Sequence, residues 1–179
     1  MTRLVGIVGT IVCALMLQTG CGYALAGRGN ALPTTIKTIG VPLFSNRSTT
    51  PEIDHALTAA VIKEFQSRGR YQVLSEAAGA DAVLVGTVTS VNLAPVQFTA
   101  QNQVSRIAIQ VAASLEFKDV ATGTVIWANP SVRSRDEYDV TTGTTANDPS
   151  ALFRQDANAM DRLARGFSKS VVASIFEAF

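Results

Sequence analysis

Two stretches of this 179-residue chain combine residue types that could do chemistry, and the first contains its only histidine. His55 follows Asp54, and such a pair could serve acid/base chemistry or ligate a metal. A catalytic dyad or a metal site needs further partners within reach, and the sequence offers no second histidine. We therefore interpret His55 as an exposed helix residue and predict that the protein is not an enzyme.

The second stretch is the charged run from Arg133 to Asp139, which reads RSRDEYD. Successive side chains of a β-strand point to opposite faces, so Arg133, Arg135, Glu137 and Asp139 share one face of a predicted strand. This alternation separates the carboxylates and argues against a carboxylate active site. We interpret the run as a solvated or partner-facing edge, and we predict no metal and no cofactor.

Cys21 lies between Gly20 and Gly22 and directly follows the apolar N-terminal part of the chain. Arg3 is the early positive charge, and residues 4–17 are all apolar, Gly, Thr or Cys. At the helical rise this run spans about 21 Å, which is short for a hydrocarbon core of about 30 Å. The pattern is typical of a signal peptide.

The segment that ends at Cys21 resembles the bacterial lipoprotein signal, in which the cysteine is acylated and the chain is cut before it. The small residues Thr19 and Gly20 fit that resemblance, whereas Gln18 departs from the leucine-like residue usual at its place. The resemblance implies lipidation of Cys21, palmitate included, and stable anchoring by several acyl chains. In bacterial lipoproteins an Asp after the cysteine often means retention in the inner membrane, so the resemblance implies that Gly22 favours the outer membrane. The alternative is a secretory signal with an incidental cysteine.

Removal of the predicted signal leaves a neutral chain without a free thiol. Arg3 is the one charged residue of segment 1–20, so 14 basic residues then face 14 acidic ones. A neutral chain lacks the basic field that nucleic-acid binding requires. Cys13 leaves with the signal and Cys21 would be acylated, and this excludes disulfides and thiolate zinc sites. We predict a signal peptide at 1–20, a lipidated tether at 21–35 and a single domain at 36–179.

The hydrophobic pattern of that domain predicts strands and helices in the order β-α-β-β-β-β-α. This order favours an α+β fold with two helices packed on one face of a mainly antiparallel, about four-stranded sheet. Thr50 is the expected N-cap of the first helix, which Gly69 would close. We expect strands at 36–44, 71–74, 81–93, 104–117 and 125–140, polar loops at 95–102 and 141–147, and a final helix from Asp148 to Phe179.

The clearest strand is 104–117, in which apolar residues alternate with small or polar ones. Gln110, Ala112 and Ser114 occupy its second face. A small, polar and uncharged face could meet solvent or the polar lumen of an outer-membrane barrel. The core face is predicted to consist of Ile107, Ile109, Val111, Ala113, Leu115 and Phe117.

Several segments together resemble the LPS-assembly lipoprotein family LptE. They are CGYALAGRG, the stretch from ALPTTIKTIGVPLF to RGRYQVL, the strand ADAVLVGTV, and the closing helix DRLARGFSKSVVASIFEAF. The resemblance implies an outer-membrane lipoprotein at the periplasmic face. It further implies that the protein plugs the LptD β-barrel and takes part in the insertion of lipopolysaccharide into the outer membrane.

The same resemblance implies lipopolysaccharide binding by basic residues. The loops 95–102 and 141–147 contain no Lys or Arg, so the candidates are Arg106, Arg133 and Arg135. A second resemblance, of IGVPLFSNRS and ADAVLVGTV, is to curli-secretion and penicillin-binding-protein-activator lipoproteins. It implies an alternative function as a periplasmic adapter.

Overall fold

The computed structural model describes residues 32–139 and 157–179, which form six strands and two helices around one core. Cys21 and the predicted loop 141–147, with the start of the final helix, lie outside the described residues. The strands are β1 (Thr38–Gly40), β2 (Ser45–Asn46), β3 (Gln72–Leu74), β4 (Ala82–Phe98), β5 (Val104–Asp119) and β6 (Val125–Asp139). The helices are α1 (Ile53–Ser67) and α2 (Ala157–Glu177).

The α+β class is confirmed, but the prediction of about four mainly antiparallel strands is wrong. The sheet has six strands in the order β3-β1-β4-β5-β6, and β2 also pairs with β4. Strand β1 is parallel to β3 and β4, and β2 is parallel to β4, whereas β4, β5 and β6 form an antiparallel meander. The sheet is mixed because α1 carries the chain back between β1 and β3, and such a crossover makes two strands parallel.

Of the predicted strand 36–44 only Thr38–Gly40 forms a strand, and Pro42 separates it from β2 at Ser45–Asn46, which lies beyond the predicted bounds. Proline has no N–H to donate to a ladder, and pairing resumes only at Ser45, which faces Thr87 of β4. The start of β1 is held by Asp81, whose Oδ2 accepts the backbone N–H of Lys37 and of Thr38 at 2.8 Å each. These two hydrogen bonds lower the pKa of Asp81 below its ordinary value of 3.8.

The hairpin β4–β5 is longer than predicted. Residues 95–98 continue β4 instead of forming a loop, and they reach the end of the strand at Phe98. The strand accommodates Pro95 because the register shifts between Pro95 and Gln97 and again before Phe98, and bulges of this kind tolerate proline. The hairpin therefore extends beyond the buried part of the sheet, and residues 94–103 are exposed.

The core lies between the two helices and one face of the sheet. The predicted alternation in β5 is confirmed, since its six apolar residues from Ile107 to Phe117 are all buried. Phe65 of α1 lies 6.4 Å from Phe117 of β5 and 6.1 Å from Phe176 of α2, measured between ring centroids. Tyr71 stacks on Phe176 at 5.7 Å. One aromatic cluster thus connects both helices with the sheet.

Helix α1 begins later than predicted, because Thr50 does not cap it. The N-cap position is Glu52, which has a left-handed backbone (φ 62°) and makes no capping hydrogen bond through its side chain. Thr50 is instead buried, and its carbonyl oxygen accepts a hydrogen bond from Nδ2 of Asn46 at 2.8 Å. Neither helix of the described part of the chain is both long and apolar enough to cross a membrane.

Candidate functional site

Among the described residues one face of the sheet carries no helix, and this helix-free face is the candidate functional site. Its centre is formed by β4 and β5, where Thr87 faces Ser114, Ser90 faces Ala112 and Asn92 faces Gln110. The predicted second face of β5 is therefore confirmed as a strip of small, polar and uncharged side chains. Such a strip offers hydrogen-bonding groups without the desolvation cost of an isolated charge.

Charges border this strip along β6. The predicted common face of Arg133, Arg135, Glu137 and Asp139 is confirmed by the register, in which Ala112 faces Arg133 and Gln110 faces Arg135. Arg135 forms an ion pair with Glu137 at 3.0 Å. The β6 border therefore combines both signs of charge, and the ion pair between Arg135 and Glu137 neutralises part of it.

The structure brings the three candidate lipopolysaccharide-binding arginines to the helix-free face, but their environments differ. Arg106 donates to Oδ1 of Asp139 at 2.8 Å, and this hydrogen bond raises the pKa of Arg106 above its ordinary value. Arg135 is likewise occupied by Glu137. Within residues 32–139 and 157–179, only Arg133 of the three has no carboxylate partner, its Nε contacting Oγ of Ser131 at 3.4 Å. Arg133 is thus the most available of the three for an anion.

The opposite side of β6 has a structural role. The Tyr138 hydroxyl lies 2.9 Å from Oδ2 of Asp136 and 2.8 Å from the carbonyl oxygen of Ala159 in α2. The Arg162 guanidinium lies 4.8 Å from the centroid of the Tyr138 ring. These contacts hold the described start of α2 against the side of β6 that is opposite the helix-free face.

Sequence reasoning missed an exposed apolar site at the tip of the β4–β5 hairpin. Phe98 is 51% exposed and Val96 is 39% exposed, and Phe98 faces Val104 one pair beyond the Gln97–Arg106 pair. The tip therefore presents apolar surface next to a cation. The alternation of Val96 and Phe98 could have revealed this continuation of β4, but Pro95 favoured the loop interpretation.

The residues first considered for catalysis do not converge. His55 is exposed near the start of α1, and Asp54 beside it lies 3.5 Å from Nδ2 of Asn46. Across the described residues, no three His, Cys, Asp or Glu side chains lie together as metal ligands would. The arrangement on the helix-free face is suited to binding another surface.

A family model described as LptE, lipopolysaccharide-assembly, matches residues 36–175. This match covers most of the chain and nearly all of the predicted domain. No curated protein matches the sequence.

Solved structures share the fold at low identity. The hypothetical protein CT253 from Chlamydia trachomatis is 9% identical, with a TM-score of 0.53 over 78% of this chain and 96% of that chain. Rare lipoprotein B from Shewanella oneidensis is 14% identical, with a TM-score of 0.44 over 75% and 95%. The PelC dodecamer from Paraburkholderia phytofirmans is 15% identical, with a TM-score of 0.46 over 83% and 92%. At such identities only the fold is compared.

Proposed function

Since this chain belongs to the LptE lipopolysaccharide-assembly family, we propose that it is an outer-membrane lipoprotein that plugs the lumen of an LptD-type β-barrel. Residues 1–20 act as the signal peptide, acylated Cys21 anchors the chain at the periplasmic face, and the tether 21–35 leads to the domain. In this role the protein supports the insertion of lipopolysaccharide. The family match favours this function over the periplasmic adapter.

The helix-free face carries the proposal. The lumen of an outer-membrane barrel is polar, and a plug must contact it without burying unpaired charges. Ser114, Ala112 and Gln110 are short or uncharged, and their neighbours on β4 have the same character. A barrel wall can therefore approach this face closely and form hydrogen bonds with it.

An arginine in the centre of the face tests the proposal. The whole acylated chain, carrying an affinity tag, is purified from outer membranes in a mild detergent, and the co-purified barrel is quantified. We expect Ser114→Arg to reduce barrel recovery at least about tenfold, because a charged and bulky side chain opposes close contact at an interface centre. Ser170→Arg, on an exposed position of α2, is the matched control and should recover the barrel normally.

Two results would contradict the plug. One is a wild-type chain that brings down no β-barrel, and the other is equal recovery with Ser114→Arg and wild type. The intact mass of the same purified chain tests the anchor separately, since acylation at Cys21 adds the mass of its acyl chains.

Lipopolysaccharide itself is the proposed ligand of Arg106, Arg133 and Arg135. Arginine suits phosphate because its guanidinium donates in a planar fork. The exposed Phe98 lies near Arg106 in the register, and together they match an amphiphile that has phosphates and acyl chains. Arg133 should contribute most, because the described carboxylates occupy the other two arginines.

We expect Arg133→Glu to weaken lipopolysaccharide binding by about tenfold, the effect of losing one charge-assisted hydrogen bond. The measurement is a titration of the purified chain with labelled lipopolysaccharide at two salt concentrations. Arg47→Glu, an exposed arginine in the connection between β2 and α1, is the control. Unchanged affinity in Arg133→Glu and in a charge reversal at Arg106 would remove this ligand assignment.

A further inference from the structure

A groove runs between α1 and α2 on the side of the helices away from the helix-free face. Its volume is about 430 Å³, within the range of small-ligand pockets. Ala56 and Ala60 line it from α1, and Met160 and Ala164 line it from α2. The α1 lining reaches from Ala56 to Ser67, a length of about 16 Å at the helical rise. This shape suits an extended apolar chain.

Two lysines lie in the half of the groove that is nearer the helix ends. The helices run in the same direction, since the ends of both meet at the contact between Phe65 and Phe176. On each helix the lining lysine, Lys63 or Lys169, comes after the apolar lining residues along the chain. Towards the helix starts the groove is lined by Ala56, Met160 and the paired charges of Asp161 and Arg165, and the two lysines lie further towards the helix ends.

Among the described residues, no carboxylate is paired with either lysine. The acidic lining residues Glu64 and Asp161 each pair with an arginine four positions along the same helix. Neither Lys63 nor Lys169 forms an ion pair with any part of the chain that the structure describes. Two available ammonium groups towards one end of the groove suit a ligand with a single anionic end.

We propose that this groove binds a single-chain anionic amphiphile of the fatty-acid type. Its acyl chain would lie along Ala56, Ala60 and Met160, and its anionic head group would contact Lys63 and Lys169. The two lining cations that have no carboxylate partner among the described residues lie towards one end of the groove, and this arrangement suits a ligand with one anionic end better than a protein helix with acidic groups along its length. The site is separate from the helix-free face and does not depend on the barrel.

Photolabelling of the whole acylated chain tests this site. The chain is reconstituted in phosphatidylcholine vesicles and irradiated with a diazirine-bearing palmitate, and the labelled peptides are mapped by mass spectrometry. We expect labels on α1 and α2 at the groove, and at least about fivefold less labelling with the matching diazirine-bearing alcohol, because the head group supplies a charge-assisted interaction.

The matched variants differ only in which lysines they change. Lys63→Gln with Lys169→Gln should lower groove labelling about tenfold, and Lys37→Gln with Lys118→Gln should leave it unchanged. Labels concentrated on the exposed hairpin tip at Val96 and Phe98 would overturn the proposal. Equal labelling by the acid and the alcohol would also overturn it.

Discussion

We expect the Phe65→Ala variant to lose about 3–5 kcal/mol of its free energy of unfolding, the usual cost of removing a buried phenylalanine ring. Phe65 is fully buried. The centroid of its ring lies 6.4 Å from that of Phe117 in the sheet and 6.1 Å from that of Phe176 in α2. A cavity at this position would therefore open where α1, α2 and the sheet meet. Domains of this size have a total free energy of unfolding of about 5–15 kcal/mol, so the loss would be a large part of it.

Urea unfolding monitored by circular dichroism measures this effect. Phe98→Ala is the matched control, because the same ring is removed from a side chain that is 51% exposed, and we expect a change within about 0.5 kcal/mol. Equal costs for the two variants would show that the aromatic cluster does not hold the helices to the sheet.

The parts of the fold that follow from the sequence are those with long, regular patterns. In β5 the alternation from Ile107 to Phe117 identifies both the core face and the helix-free face. The apolar spacing of α1 likewise places Phe65 in the core. These patterns extend over many residues, so packing only reinforces what periodicity already indicates.

The parts that were missed have no such pattern. β2 has only two residues, so no periodicity indicates it. β1 and β3 were predicted as strands, but with three residues each they carry no pattern that shows their parallel pairing. At Glu52 the left-handed backbone is imposed by the surrounding structure, since the residue type does not favour it.

The candidate site likewise has features that the sequence predicts and features that it does not predict. Alternation along β6 predicts that Arg133 and Arg135 share a face with the acids. It does not predict that Arg106 pairs with Asp139, because that contact depends on the register between β5 and β6. The availability of an arginine for a ligand is therefore a tertiary property, and only the structure separates Arg133 from Arg106.

A methyl group at Gly86 is expected to cost about 1–3 kcal/mol, the range for overpacking a filled core. A Cβ atom at this position would lie 2.6 Å from Cδ2 of Leu115 and 2.7 Å from Cδ1 of Phe44. Both neighbours are buried and have little room to move. Gly86→Ala should therefore lower the urea midpoint, because the protein must displace Leu115 or Phe44 to fold.

The direction of this effect depends on local space, and Gly166 provides the opposite case. A Cβ at Gly166 would have only Oγ of Ser134 nearby, at 3.8 Å, so Gly166→Ala should stabilise α2 by up to about 1 kcal/mol through helix propensity. Leu115→Ala should cost less in the Gly86→Ala background than in the wild type, with a coupling of about 0.5–3 kcal/mol. If Gly86→Ala is as stable as the wild type, or the two substitutions are additive, the close packing of Phe44 and Leu115 over β4 is wrong.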